Sequence, residues 1–266
     1  LLALGGSTNA VIHLAAIAGR VGLRIDLARM NALSDSTPVL VDLKPTGSGY
    51  MEDLHAAGGI PAVLRELRGL LHLDCLMVTG ETLGQRIDAT GDWVDRAVVR
   101  PIENAVRKDG GLVALFGNLA PLGAVLKRAA ADPALFEREG RAVVFESLAD
   151  LSARIDDPAL EVTPDDFLVL QNAGPASEAA MPEAGYLPIP AKLARAGVKD
   201  MVRISDARMS GTAYGTIILH VAPDAASGGT LGLVRNGDRI SLSVARRRLE
   251  SVSYTHLRAH ETVLDL

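Results

Sequence analysis

Three short stretches hold residues whose types and spacing could do chemistry. The run RISDARMSGTAYGT, Arg203 to Thr216, sets Ser210 between the Asp206/Arg208 pair and a glycine, with Thr212 two residues on. A serine hydroxyl is a poor base until a nearby cation or metal stabilises its alkoxide. Arg208 is one such cation, and the following apolar run TIILHV reads as a strand that could aim the loop. The same residues also suit a hairpin or a helix cap. The run is neither a GxSxG elbow nor part of a readable Ser-His-Asp order. A second stretch, AAMPEAGYLPIP, holds one carboxylate, Glu183, among prolines that fix the backbone. Carboxylate oxygen suits Mg²⁺, and a surface glutamate in a proline-rich loop reads the same way. The third, GGSTN, puts Ser7, Thr8 and Asn9 at the start of a helix. Backbone donors there would suit a carboxylate or phosphate, or simply cap the helix.

The remaining reactive side chains give weaker signals. His13, His55, His72, His220, His256 and His260 are scattered, and none has the spacing of a zinc motif such as HExxH. His13 and His72 have apolar neighbours and read as core histidines, while His55 stays open. Cys75, in LHLDCLMV, reads as a small buried residue in a strand. As the single cysteine it excludes an internal disulfide.

The elements that must position these residues change character along the chain. GGSTNAVIHLAAIAGRVGL predicts a helix from about Ala10 to Val21, with Val11, Leu14, Ala15 and Ala18 at helical spacing. IDLARMNALSDSTP reads as a second helix and VLVDLKP as a short buried strand. MEDLHAAGGIPAVLRELRGL reads as a turn and then a helix starting near Pro61. LDCLMVTGETLGQRI reads as a strand followed by a helix. This alternation predicts an α/β domain. From GGLVALFG onward, short Val/Leu/Ile runs alternate with Gly, Asn, Asp and Pro clusters, which predicts a barrel-like β domain with a helical insertion. VRNGDRISL carries an Asn-Gly turn expected to form a hairpin.

The reading therefore divides the chain into an α/β portion at 1–106 and a β-barrel at 107–251. The end, 252–266, abruptly loses the pattern and reads as a non-native tail. The start, LLALGGSTNA, lies inside an apolar element without an initiator Met, so the chain is expected to be a piece of a longer protein. With 266 residues, 48% of them hydrophobic, it can bury a core, and 3% aromatics mean that Leu, Val, Ile and Ala build it. A net charge of -5 offers no basic face for nucleic acid or an anionic membrane. No apolar run reaches the roughly 20 residues of a membrane span. A cytoplasmic enzyme fits this composition.

GGSTNAVIHL, GNLAPLGAVLK, the MPE segment and SDARMSGT, in that order, resemble the family of dihydroxy-acid and sugar-acid dehydratases. The resemblance covers residues 1 to about 250. It implies removal of water from a 2,3-dihydroxy acid to give a 2-keto-3-deoxy acid. It also implies an Fe–S cluster (2Fe–2S or 4Fe–4S) as Lewis acid, Mg²⁺ on the substrate, and a serine alkoxide as base. On this resemblance Ser210 matches the catalytic serine and Glu183 a Mg²⁺ ligand. Asp206, Arg208 and Thr212 would support, and Ser7, Thr8 and Asn9 would line or shape the site. The cluster cysteines and the other Mg²⁺ ligands belong to a part of the family that precedes Leu1, and Cys75 matches none of them. The implied fold is the end of an α/β domain followed by a swivelling β-barrel, in a homodimer or homotetramer. One departure stands out: GPASEAAMPE replaces the family's glycine-rich GPxGxPG run and adds Glu178. QNAGP, EAGYLPIP and SDARMSGT lean towards sugar acids such as arabinonate or xylonate. The dehydratase of branched-chain amino-acid synthesis, phosphogluconate dehydratase and a non-catalytic acid-binding barrel remain open.

Overall fold

The structure, a computed structural model, describes residues 1–179, 187–209 and 214–252. It divides into two compact units: Leu1–Gly6 with Ala32–Gly111, and Ser7–Asn31 with the chain from Leu112 on. The described helices are α1 (Asn9–Gly19), α2 (Leu27–Ser36), α3 (Met51–Ala56), α4 (Gly59–Glu66), α5 (Leu83–Asp88), α6 (Leu148–Arg154) and α7 (Ala191–Arg195). No described helix is long and apolar enough to cross a membrane.

In the first unit, Leu40, Val41, Leu54, Ala62, Val63 and Val99 form the core. α4 begins two residues before Pro61, which sits in its first turn, where the missing N–H costs nothing. α5 is fixed by a reciprocal cap: the Thr82 hydroxyl accepts from Gln85 N and the Gln85 amide oxygen accepts from Thr82 N. MEDLHA, expected as a turn, is helix α3, because the Asp53 carboxylate accepts from Tyr50 N and caps it. The two expected strands do not form here. VLVDLKP makes only isolated bridges, Val39 to Arg107, Val41 to Val99 and Leu43 to Gly49, and LDCLMV only one, Leu76 to Thr82. Leu76 and Val78 stay exposed for want of a neighbouring strand. Cys75 is exposed rather than buried in a strand, and His72 is exposed rather than core.

The second unit is built on a closed eight-stranded barrel. Its strands are β1 (Val113–Gly117), β2 (Ala120–Leu126), β3 (Glu137–Phe145), β4 (Phe167–Leu170), β5 (Arg203–Ser205), β6 (Ile217–Ala222), β7 (Arg239–Ser243) and β8 (Arg248–Ser251). They are ordered β1-β2-β6-β5-β4-β3-β7-β8 around the ring. The barrel and the helices together bear out a mixed α and β fold. The interior takes side chains from every strand, among them Leu115, Leu126, Val144, Val169, Ile204, Ile218, Ile240 and Leu249. Four consecutive strands, β3, β4, β5 and β6, run parallel. Parallel strands need crossovers, and α6 follows β3 while α7 precedes β5. Leu151 of α6, Ile155 just after it and Leu193 of α7 cover the outward residues Val143, Phe145, Leu168, Leu170, Ile217 and Leu219. β4 and β5 are consequently buried on both faces, and β4 (FLVL) reads as an unbroken apolar run.

The Asn-Gly turn does not make a hairpin. Asn236 accepts from Val144 N through its side chain, and Gly237 N donates to Ala142 O, so the turn is pinned to β3. The hairpin lies one element later, between β7 and β8, where Arg247 takes a positive φ of 56°.

Candidate active site at the carboxyl ends of the parallel strands

Because β3 to β6 run in one direction, the segments that follow them gather at one end of the barrel. In parallel sheets this is where ligands bind. Glu146–Ser147 follow β3, Gln171–Ala179 follow β4, Asp206–Met209 follow β5 and Pro223 begins the segment after β6.

Buried carboxylates stitch these segments together. Asp206 is 1% exposed and accepts from Ala173 N at 3.0 Å and from Ala225 N at 2.9 Å. One side chain of the SDARMSGT motif thus joins the segments after β4, β5 and β6. Burial pushes its carboxyl above the ordinary value and the nearby Asp224 charge adds to this, while the two backbone donors oppose it. Asp224, also buried, accepts from Ala176 N and Ser227 N, both at 2.8 Å. Burial raises its carboxyl too, but the hydrogen bonds from Ser227 and Ala176 outweigh it and leave it lowered. Asp206→Asn is expected to turn one acceptor into a donor facing an N–H. The cost should be about 1–3 kcal/mol, read as a lower urea midpoint with an unchanged m-value. Wild-type stability would show that the two N–H groups find other partners.

The start of α1 reaches the same segment. Asn9 is buried and its side-chain amide donates to Met209 O at 3.0 Å, next to Ser210 in sequence. Ser7 accepts from Asn9 N at 3.2 Å. Thr8 is buried at the helix N-cap position, and its side chain makes no capping bond. The GGSTN stretch therefore acts on the SDARMSGT segment through Asn9, with Ser7 as a local cap. His13 is exposed on α1, not in the core, and His55 is exposed on α3. Glu183, Ser210 and Thr212 lie outside the described residues.

His220 has the most unusual surroundings of the described histidines. The β2–β6 register slips between Gly123/Ala222 and Val125/Leu219, so β6 carries one extra residue there. Such bulges re-aim side chains. His220 takes φ 56°, and its N–H donates to Ala207 O at 3.2 Å. Both ring nitrogens are buried without a hydrogen-bond partner. His220 lines a cavity of about 200 Å³ together with Val11, Ile12 and Ala15 of α1 and Leu122 and Val125 of β2. Burial, and then the charge of half-buried Arg208, lower the imidazole to about 4.

A larger cavity, about 490 Å³, opens at the carboxyl ends of β3 and β4, lined by Glu146, Ser147, Asn172, Ser177, Glu178 and Ala226 among others. Its carboxylates, hydroxyls and amide can bond a small hydroxyl-rich molecule. Glu146, Asn172 and Ser177 escaped the sequence reading. The available signal was QNAG, since Asn172 adopts φ 54°, a conformation asparagine tolerates better than most residues. Among the described residues no three His, Cys, Asp or Glu side chains come together as a metal site. Cys75 is the chain's single cysteine and is exposed. The described residues thus supply no complete ligand set for an Fe–S cluster or for Mg²⁺.

Buried carboxylates thus tie adjacent segments together at the carboxyl ends of the four parallel strands, beside a cavity with polar side chains in its lining. Comparison with known proteins shows the family. Residues 97–262 match the dihydroxy-acid/6-phosphogluconate dehydratase C-terminal model and residues 1–86 the corresponding N-terminal model. The chain belongs to this family of dehydratases. It is 49% identical to an L-arabinonate dehydratase of Rhizobium leguminosarum bv. trifolii, over 93% of this chain and 43% of the relative. It is 53% identical to an L-arabonate dehydratase of Azospirillum brasilense, over 90% of this chain and 42% of the relative. A dihydroxy-acid dehydratase of Syntrophobacter fumaroxidans is 41% identical, over 94% and 44%. The chain spans less than half the length of these relatives.

Proposed function

We propose that the whole protein is a hydro-lyase that removes water from a 2,3-dihydroxy sugar acid and releases a 2-keto-3-deoxy acid. One observation carries the assignment of the site. Buried Asp206 joins the segment leading to Glu183 and the segment leading to Ser210 at the carboxyl ends of parallel strands. The described segments that lead towards the two motifs meet at this bond, which supports reading the motifs as parts of one site. Identities of 49% and 53% to arabinonate dehydratases, against 41% to a dihydroxy-acid dehydratase, favour a sugar acid.

In this reading the Ser210 oxygen takes the C2 proton, the C3–O bond breaks, and the enol left behind ketonises. Asn9 and Asp206 hold the backbone leading into Ser210, and the charge of Arg208 favours its alkoxide. On the family resemblance Glu183 would be one of the residues holding Mg²⁺. When bound, the Fe–S cluster and Mg²⁺ that the family resemblance implies would supply Lewis-acid chemistry to the substrate. The hydroxyls of the substrate's tail find acceptors in the cavity of Glu146, Asn172, Ser177 and Glu178.

The test is turnover of L-arabinonate, xylonate and 2,3-dihydroxyisovalerate by the whole protein with cluster and magnesium loaded, following 2-keto acid. Arabinonate or xylonate should be the best substrate. Preference for dihydroxyisovalerate would keep the chemistry and move the protein to the branched-chain reading. No product from any 2,3-dihydroxy acid would overturn the assignment.

A further inference from the structure

The cavity of about 490 Å³ at the carboxyl ends of β3 and β4 is lined mainly by hydrogen-bond acceptors. Glu146 and Glu178 line it, both are exposed, and no described lysine or arginine pairs with either carboxylate. An ionised carboxylate accepts and never donates. The Ser177 hydroxyl donates to Gly174 O at 2.7 Å, so it turns lone pairs towards a ligand. The Asn172 amide uses one N–H on Glu146 O at 3.0 Å, which ties the segments after β3 and β4 together. Asp224 accepts from Ala176 N at 2.8 Å and holds the wall on the β6 side.

The nearby groups that would favour an anion are already engaged. A helix start attracts negative charge, but at the start of α6 Asp150 N donates to Ser147 Oγ at 3.1 Å, and the Asp150 carboxylate accepts from Glu146 N at 3.0 Å. Arg154, one turn further on, donates to that same carboxylate at 2.8 Å and to Val144 O at 3.2 Å. Among the described residues no lysine or arginine lines the cavity. A sugar acid can end in a neutral hydroxyl or in a charged group, and the two ends have opposite chemistry. The hydroxyl brings a donor to these acceptors. A phosphate dianion or a sulfonate brings acceptor oxygens and negative charge, and like charges repel at close range even through water.

We propose that this cavity selects sugar acids whose far end is an uncharged hydroxyl, and that Glu146 and Glu178 turn away those ending in phosphate or sulfonate. This rests on the function proposed above, in which the cavity takes the tail of the substrate. It disfavours the phosphogluconate dehydratase reading that the sequence leaves open. It also gives the GPASEAA departure a task, since Glu178 is the charge which that run adds.

The experiment measures kcat/KM of the whole protein for L-arabinonate and for L-arabinonate 5-phosphate, following 2-keto acid. Where xylonate is the better substrate, xylonate and its 5-phosphate take their place. Wild type should prefer the unphosphorylated acid by about 100-fold, roughly tenfold for each carboxylate that the phosphate meets. Glu178→Gln keeps the side-chain shape and removes the charge, and should cut the preference about tenfold. Adding Glu146→Gln should remove most of the rest. Both positions are exposed, so the variants should fold as wild type does. Because exposed charges are screened, the wild-type preference should also shrink between about 0.02 M and 0.5 M salt. A preference that persists in the double variant and at high salt means exclusion by size, and overturns the role of the two carboxylates. Equal use of the two acids by wild type, or preference for the ester, overturns the inference and leaves the hydro-lyase reading standing. Preference for 2,3-dihydroxyisovalerate, or no product from any 2,3-dihydroxy acid, overturns the sugar-acid reading and this inference with it.

Discussion

Ser210→Ala in the whole protein should lower kcat on its sugar acid by about 10²- to 10⁴-fold, the range for removing a positioned base. KM should change little, because the alanine removes only the oxygen that accepts the proton. The expectation rests on how the chain treats the residues before Ser210. Met209 O is held by the buried Asn9 amide, and Ala207 O receives the His220 N–H. Asp206 is fixed by two backbone donors. A plain surface turn needs no such anchoring at three of four positions, whereas a nucleophile or base must enter its site from a rigid approach. The C2 proton of a hydroxy acid is weakly acidic, so its acceptor must be an alkoxide and not a neutral hydroxyl. Ser210→Thr keeps the oxygen and should retain part of the activity, whereas Ser210→Ala should not. A variant with unchanged kcat and a raised KM would show that Ser210 binds substrate without taking its proton. Both variants are read by 2-keto acid formation, with circular dichroism checking that they fold.

Much of the barrel was legible in the sequence because its strands are short, apolar and buried. FLVL and TIILHVA need no knowledge of their partners to read as strands. Strand order and closure were not legible, since β1 meets β8 and β3 meets β7 across long separations. The Asn-Gly turn misled for the same reason: its local geometry was read correctly, but its partner is β3, nearly a hundred residues back. In the first unit VLVDLKP and LDCLMV have strand composition without a strand to pair with, and only bridges result. The site shows the same division. SDARMSGT and GGSTN stood out by composition, and the structure joins them through Asn9 and Met209. Asp224 did not stand out, because what matters about it is burial and contact with distant backbone, which a linear pattern does not carry. Asn172 offered a faint sign in its turn-forming neighbours, and His220 offered none, since a bulge is a property of two strands in register.

His220 should make the fold sensitive to mild acid, at a cost of about 3 kcal/mol between pH 7 and pH 4. The unfolded imidazole titrates near 6.5, and in the fold burial and Arg208 lower it to about 4. Between these values the unfolded chain takes up a proton that the folded chain refuses. Stability is therefore complete above about pH 6.5 and is lost progressively as the pH falls towards 4. Carboxylates contribute in the same region with both signs. Asp224 is lowered and also loses stability on acidification, whereas Asp206 is raised and gains it. The informative quantity is thus the difference between wild type and a His220 variant, not the wild-type curve. His220→Asn is the suitable replacement, because asparagine tolerates the positive φ of 56° and does not titrate. A β-branched residue there would add backbone strain of about 1–3 kcal/mol and confuse the reading. Urea unfolding at pH 7 and pH 4.5 should show wild type losing about 2 kcal/mol more than His220→Asn, as the linkage relation requires for most of that interval. Parallel losses would mean that the imidazole is protonated in the folded protein, and that the 200 Å³ cavity beneath α1 gives the charge a partner.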